Sequence, residues 1–393
     1  MKITSLPRTV LVLGFVSFLN DLASEMITPL LPLFLTSLPG SGVWVVGLVE
    51  GVAESTASLL KLFSGRLADR GWNSKKLVLG GYGISNLARP LIGLVSGWGL
   101  ALNLRFLDRV GKGLRTSPRD ALISGSIGED RRGYAFGFHR SLDNAGAMAG
   151  PLCAYFLLRH FASMRQVFLL SVIPGIAVIL LLAFGLKNKQ TTAPKIELPP
   201  LHWSAIDVRL RGLILAAGGL AFATIPEVFL VLWAREQGLK IIYVPLIWAA
   251  ASAVKALVAG PAGSLSDYIG RIPILAGGWL LRIILLLALA YTSLYAHVIP
   301  VWILFLTYAA SLASTEGVER ALVGDFASPK ERATAFGLYH MVVGLTALPG
   351  ALLFGAIWQH YGAAPAFTLD ALLAAGSLLF LLQFGRKITN EAR

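Results

Sequence analysis

The stretch LNLRFLDRVGKGLRTSPRDALISG, Leu102 to Gly125, places Arg105, Asp108, Arg109, Lys112, Arg115 and Arg119 directly after a hydrophobic run, with no loop long enough to lead them away from it. At about 100° per residue those six side chains fall within an arc of about 120°, so they form one face of a helix. A charge in a hydrocarbon core costs about 3 kcal/mol or more, and such residues therefore point into a protein interior or an aqueous cavity and are functional candidates by default. The stretch is predicted to cross a membrane with its charged face lining a central cavity.

The rest of the chain agrees with a bilayer as solvent. Its 393 residues are 55% hydrophobic and 14% charged, with a mean hydropathy of +0.69, which is far from the composition of a soluble domain. The formal net charge of +13 does not indicate nucleic acid, because the basic residues are scattered through short loops between apolar segments, as the positive-inside rule requires. Cys153 is the sole cysteine, so no intrachain disulfide forms. The first apolar run, Val10 to Phe34, is too long for a signal-peptide core and is expected to stay as a membrane helix.

A crossing needs about 20 mostly apolar residues. Breaks at Gly, Pro and charge clusters then give spans at 8–36, 43–66, 76–97, 99–123, 134–158, 165–186, 209–234, 243–266, 272–294, 298–325, 333–358 and 364–385. Alternate loops carry the cations: Arg66, Arg70, Lys75 and Lys76; Arg131 and Arg132; Lys187, Lys189 and Lys195; Arg271; Lys330 and Arg332. Both termini lie on that side and are expected to be cytoplasmic. The fold expected is an all-α membrane protein of twelve transmembrane helices, in two parallel six-helix bundles around a central cavity. Its domains are 1–186, a cytoplasmic linker at 187–208 rich in Pro and charge, and 209–393.

Internal repetition supports the division. Ala135-Phe136-Gly137 recurs as Ala335-Phe336-Gly337, Ala121-Leu122 as Ala321-Leu322, and Gly150 as Gly350. GRLADRG, Gly65 to Gly71, matches GSLSDYIGR, Gly263 to Arg271, with Asp69 answering to Asp267. Glu25 and Glu227 lie at similar depth in their spans. Six spans per copy give the copies one orientation, the arrangement of transporters that rock two bundles about a midplane site.

These motifs resemble the major facilitator superfamily over essentially the whole chain. GRLADRGWNSKK, Gly65 to Lys76, resembles that family's cytoplasmic signature, although Trp72, Asn73 and Ser74 stretch its Gly-to-basic pairing. Arg105-Phe106-Leu107 followed by Gly111 and Gly113 resembles the family's membrane arginine motif, with Asp108, Arg109 and Lys112 where neutral residues are common. Gly146 to Pro151 resembles the Gly-Pro motif of exporting antiporters, without its trailing glycines. The resemblance implies a secondary transporter.

Gly65, Asp69 and Arg70, with Asp267 and Arg271 in the second copy, are expected to form the cytoplasmic gate, an acid there accepting from a neighbouring helix N-terminus. Asp21 and Glu25 share a helix face. In such a place desolvation or a close like charge favours a protonated acid, so either residue could carry a coupled proton; permanent pairing with the cations of the fourth span is the alternative. Glu54 and Glu227 are further proton candidates. Arg105, Arg109 and Lys112, with Arg140, Asp143 and Lys255, are candidate substrate contacts, since a guanidinium fork grips carboxylate or phosphate. Neutralisation by Asp21, Glu25 and Asp143 competes with that reading, and snorkelling to the cytoplasmic surface is the competing account of Arg115 and Arg119. His139 reads more simply as a packed histidine than as a proton relay.

The sequence holds no phosphate-binding loop, metal-ligand cluster or nucleophile motif, so an enzyme is not expected and no cofactor is called for. The expected partners are a small-molecule substrate, protons and the lipid bilayer, with no nucleic acid, in a monomer of the inner (cytoplasmic) membrane. Proton-coupled export of an amphiphilic or anionic solute is the first reading. Import of an anionic metabolite or carboxylate-type siderophore is the second, and a passive channel or membrane enzyme is a reading of another class. The topology is testable with single cysteines introduced after Cys153 is replaced. Positions 66–76 and 187–207 should be shielded from an impermeant thiol reagent on intact cells while Ser37 to Gly42 is labelled, and labelling of the long connector from outside would overturn this orientation.

Overall fold

The computed structural model describes residues 6–69, 72–127, 132–160, 163–186, 208–294, 299–326 and 332–391. They are helical almost throughout, and no strand occurs among them. The helices are α1 (Arg8–Ile27), α2 (Leu31–Thr36), α3 (Val43–Asp69), α4 (Ser74–Leu91), α5 (Trp98–Ser124), α6 (Arg132–His160), α7 (Met164–Leu170) and α8 (Val172–Gly185). After these come α9 (Val208–Phe222), α10 (Glu227–Glu236), α11 (Val244–Ile269), α12 (Arg271–Thr292), α13 (Ile299–Phe326), α14 (Arg332–Tyr361) and α15 (Ala363–Glu391).

Proline chemistry explains two of the breaks. Pro29 cannot donate a backbone hydrogen bond, and α1 ends at Ile27 before α2 resumes at Leu31. Pro226 is the N-cap of α10, and a residue before proline is driven out of the helical region, so the chain leaves α9 at Phe222. Glu25 therefore precedes its break while Glu227 follows its own. The equal depth expected of these two acids is not an equivalence of position in the helices.

Among the described residues, nine helical stretches are long and apolar enough to cross a membrane: 8–36, 43–65, 164–185, 208–236, 241–269, 271–292, 301–323, 338–361 and 363–383. Helices α4, α5 and α6 do not meet that composition although they have 18, 27 and 29 residues. In α5 the reason is visible in its faces. Arg105, Asp108 and Arg115 are buried, whereas Phe106 and Leu107 on the opposite side are 42% and 43% exposed. The polar face points inward and the apolar face outward, the inverse of a soluble helix and the arrangement that a lipid solvent demands.

The described residues fall into two compact units, one within Met1–Gly40, Thr56–Pro199 and Ile242–Ala249, the other within Ser41–Ser55, Pro200–Ile241 and Ala250–Arg393. Of the connector expected at 187–208, residues 187–207 lie outside the described residues and Val208 begins α9. In the first unit α1 packs along α6 and α8, and α4 along α5. Val10, Leu13, Val78, Tyr82, Val178 and Leu182 make an apolar core there. In the second unit α9 packs on α14 and α15, and α12 on α13 and α15. Phe229, Phe354, Trp358 and Phe367 pack edge-on or stacked in its core, with centroids 4.8–5.9 Å apart.

The division between units falls inside α3. Its first half belongs to the second unit, where a Cβ on Gly47 would meet the Ala351 carbonyl oxygen at 2.3 Å and one on Gly51 the Leu348 side chain at 2.7 Å. Its second half belongs to the first unit, where Ser64 donates to the Gly113 carbonyl at 2.7 Å and Ser117 to that of Lys61 at 2.8 Å. Small residues at both ends let backbones approach and satisfy one another where no water is present.

Gly350 offers a direct test of that packing, since a Cβ there would meet the Phe222 carbonyl oxygen at 2.1 Å. Gly350→Ala is expected to cost about 1–3 kcal/mol through overpacking and to lower the Tm of the purified protein. Gly83→Ala, which meets nothing within 4 Å, should leave Tm unchanged or raise it, because alanine favours a helix by up to about 1 kcal/mol over glycine.

Candidate functional site

The polar interior of the first unit exists because its helices touch through glycine. A Cβ on Gly81 of α4 would meet the Gly111 oxygen of α5 at 2.6 Å, and one on Gly111 would meet the Gly81 oxygen at 2.4 Å. On the other side, a Cβ on Gly146 of α6 would meet the Phe18 oxygen of α1 at 2.3 Å, and one on Gly150 the Leu22 oxygen at 2.7 Å. Two pairs of helices are thus held at backbone contact, and short polar side chains can bridge them.

Asp108 is the centre of the α4/α5 contact. Its carboxylate is 2.8 Å from Arg89 Nε, 3.3 Å from an Arg105 terminal nitrogen and 3.7 Å from Arg109 Nε. Arg89 passes the chain on, donating to Asn20 Oδ1 at 3.0 Å, and Asn20 donates to Asp21 Oδ1 at 3.0 Å. The carboxyls of Asp21 and Asp143 lie within hydrogen-bond reach of each other. Asp143 is held in turn by Ser17 Oγ at 2.5 Å and Arg140 at 3.1 Å. One hydrogen-bonded line therefore runs through α5, α4, α1 and α6. Lys112 is close enough for its charge to act on Asp21.

The structure thus gathers most of the residues expected at the first-unit site. Arg105 and Arg109 face Asp108, Arg140 faces Asp143, and Asp21 is within reach of Asp143 and of the Lys112 charge. Glu25 stands one turn along, accepting from Trp248 Nε1 at 2.9 Å. Arg115 does not snorkel to a surface: it is buried, donates to Ser85 Oγ at 2.6 Å and lies 4.4 Å over the Tyr82 ring. Arg119 pairs with Asp120 at 2.9 Å. Arg89, Asn20 and Asn86 were not singled out from the sequence, although single polar residues inside an otherwise apolar span are the signal that marks them.

In the second unit, Lys255 holds Glu227 at 2.8 and 3.1 Å. Asp267 is 3.3 Å from Arg271, which also pairs with Asp325. Of the first-copy gate, Gly65 lies beside Ser117, while Arg70 and the Asp69 side chain lie outside the described residues. Glu54 is exposed.

The repeat reaches into these contacts with its chemistry exchanged. Gly81 packs on Arg115 and Gly278 packs on Thr315, so the two glycines mark the same helix approach in the two copies. At that approach Arg115 of α5 donates to Ser85 of α4, whereas Arg282 of α12 donates to Thr315 of α13. The guanidinium has changed helices. Beside it, the Arg119 charge stands near Tyr82, whereas Glu319 accepts from Trp279 at 3.1 Å and from Tyr339 at 2.8 Å. There the charge has changed sign.

Comparison with known proteins sets this geometry in a family. The model of the Major Facilitator Superfamily matches residues 13–317 and 255–392. An uncharacterised MFS-type transporter of Methanocaldococcus jannaschii is 34% identical over 384 residues, covering 96% of this chain and 95% of that protein. Multidrug resistance protein MdtG of Escherichia coli is 26% identical over 390 residues, covering 95% and 92%. Among solved structures, a bacterial homologue of the human lysosomal transporter Spinster, inward-facing and occupied, superposes with a TM-score of 0.79 at 17% identity over 96% of each chain. A POT family transporter in complex with 5-aminolevulinic acid gives 0.82 at 12% identity, covering 99% and 98%.

Asp108 sets the stability of the site. Asp108→Asn removes the acid facing Arg89, Arg105 and Arg109 and is expected to cost about 3–5 kcal/mol, the usual penalty of stranding buried charge. The folded yield and Tm should fall sharply, and Arg89→Met added to Asp108→Leu should recover part of the loss. A wild-type Tm for Asp108→Asn would show that this cluster does not hold the helices together.

Proposed function

The chain belongs to the Major Facilitator Superfamily, and from that premise we propose that it exports a small amphiphilic or anionic organic solute across the cytoplasmic membrane in exchange for protons, by alternating access. The observation that carries the proton role is the contact between Asp21 of α1 and Asp143 of α6. Two carboxyls at that distance repel when both are ionised and share one proton comfortably. Lys112 and Arg140 stand beside them, so gain or loss of that proton alters the charge offered to a solute. Glu25, held by Trp248, is a weaker candidate for the same role, as are Glu54 and Glu227.

Export is favoured by the name of the Escherichia coli relative, a multidrug resistance protein. Anionic solutes suit the surplus of cations over acids on α5. Lys112, Arg109, Arg140, Asp143 and Lys255 are the proposed contacts, with Arg105 fixed more deeply on Asp108. Counting α1 with α2, α7 with α8 and α9 with α10, the helices make twelve crossings, six per copy, with both termini in the cytoplasm. Helices α4, α5 and α6 count as crossings because their charges can face inward. Asp267 and Arg271, with Gly65, Asp69 and Arg70, serve as the cytoplasmic gate.

In proteoliposomes, Asp21→Asn and Asp143→Asn should each abolish transport driven by a pH gradient, and Asp21→Asn should spare exchange of solute between two loaded sides, because exchange moves no net proton. Glu25→Gln should retain gradient-driven transport. Full pH-driven transport by both aspartate variants would overturn the proton role, and solute movement without any gradient dependence would favour a passive channel.

A further inference from the structure

We propose that the second unit contains an oxyanion-binding site built from Arg282 of α12 and Tyr308 of α13. Arg282 is 4% exposed, and its two terminal nitrogens donate to Thr224 Oγ1 at 3.1 Å and Thr315 Oγ1 at 2.9 Å. Both hydroxyls spend their own hydrogens on backbone carbonyls, Thr224 on Leu220 at 2.6 Å and Thr315 on Leu312 at 3.2 Å. They are neutral acceptors, so they satisfy geometry without supplying charge. No carboxylate forms an ion pair with Arg282 among the described residues.

The contrast with Arg89 defines the anomaly. Arg89 is equally buried but rests on Asp108 at 2.8 Å. A buried guanidinium without an anion keeps its desolvation penalty uncompensated. Glu319 is the acid whose field reaches Arg282, but its oxygens are taken by Trp279 and Tyr339 and it makes no ion pair with the guanidinium. The countercharge is near and held off.

Two donors are left open at this place. The Nε–H of Arg282 is buried with no acceptor, and so is the hydroxyl of Tyr308, which is 0% exposed and lies within reach of the charges of Arg282, Asp370 and Glu227, neither acid forming a hydrogen bond to it. A buried donor without a partner calls for an acceptor. A carboxylate or phosphate group supplies what is missing: a negative charge for the guanidinium and lone pairs for Nε–H and for the phenol. The occupant is either the anionic group of a soluble solute or a lipid headgroup. Neither the proton role nor the transport direction enters this inference, since the chain could export a neutral compound and still hold an oxyanion here.

The test is equilibrium binding to the purified full chain, read by thermal shift and calorimetry, with benzoate, phosphate and sulfate as probes and benzamide as the neutral control. At least one oxyanion should raise the Tm of the wild type while benzamide does not. Affinity should fall about tenfold or more in Arg282→Gln and in Tyr308→Phe, as expected for loss of a hydrogen bond to a charged group. Nanodiscs identify the occupant: if phosphatidylglycerol, but not phosphatidylcholine, eliminates the response to soluble anions and itself stabilises the wild type over Tyr308→Phe, the site takes a headgroup. If no oxyanion or anionic lipid binds, or if both variants bind as the wild type does, the inference is wrong. Should Arg282→Gln fail to fold, Tyr308→Phe decides alone, since it removes only an unpartnered hydroxyl, and unchanged affinity would overturn the site.

Discussion

The ion cluster at Asp108 is the constraint around which the first unit is arranged. One buried carboxylate faces Arg89 from α4 and Arg105 and Arg109 from its own helix. In a lipid-facing bundle the apolar exterior contributes little to helix association, because lipid tails are as apolar as leucine. Cohesion then rests on close packing and on polar contacts that have no alternative partner. Asp108 supplies such contacts, and the line from Arg89 through Asn20 to Asp21 extends them to α1.

That network depends on the absence of side chains elsewhere. Gly81 and Gly111 bring α4 and α5 to backbone contact, and Gly146 and Gly150 do the same for α6 and α1. The close approach of α1 and α6 lets the short carboxyls of Asp21 and Asp143 meet. The glycines are therefore part of the polar chemistry, although they carry none themselves.

The two copies use one scaffold with different electrostatics. Ser85 with Arg115 and Arg282 with Thr315 make the same bridge with its charged end on opposite helices, and Arg119 and Glu319 occupy corresponding places with opposite sign. Duplication fixes where a polar group can be accommodated, since the glycine approaches set the available space. The identity of the group is free to diverge provided that its hydrogen bonds are met. In the first unit the cations gather around a shared acid. In the second, Glu319 is met by Trp279 and Tyr339, and Arg282 by two threonine hydroxyls that leave its Nε–H open.

What the sequence determined by itself was the solvent and the family. Apolar runs of crossing length, the Gly65 to Lys76 motif and its second copy, and the charged face of Leu102 to Gly125 each follow from local pattern, and local pattern survives in the sequence. The facing of Arg105 and Arg109 into the protein was legible for the same reason, because a helix has a fixed period. Which acid they meet was not. The sequence set Asp108 on their own helix face and offered Asp21, Glu25 and Asp143 from other helices as competitors, whereas the structure pairs both with Asp108 and the close α4/α5 approach brings in Arg89. The pairing of Asp21 with Asp143, the burial of Arg115 over Tyr82 and the open donors of Arg282 and Tyr308 were likewise settled only by tertiary structure. Each depends on the separation and rotation of two helices distant in the chain, and those are fixed by the packing of whole surfaces rather than by any one segment.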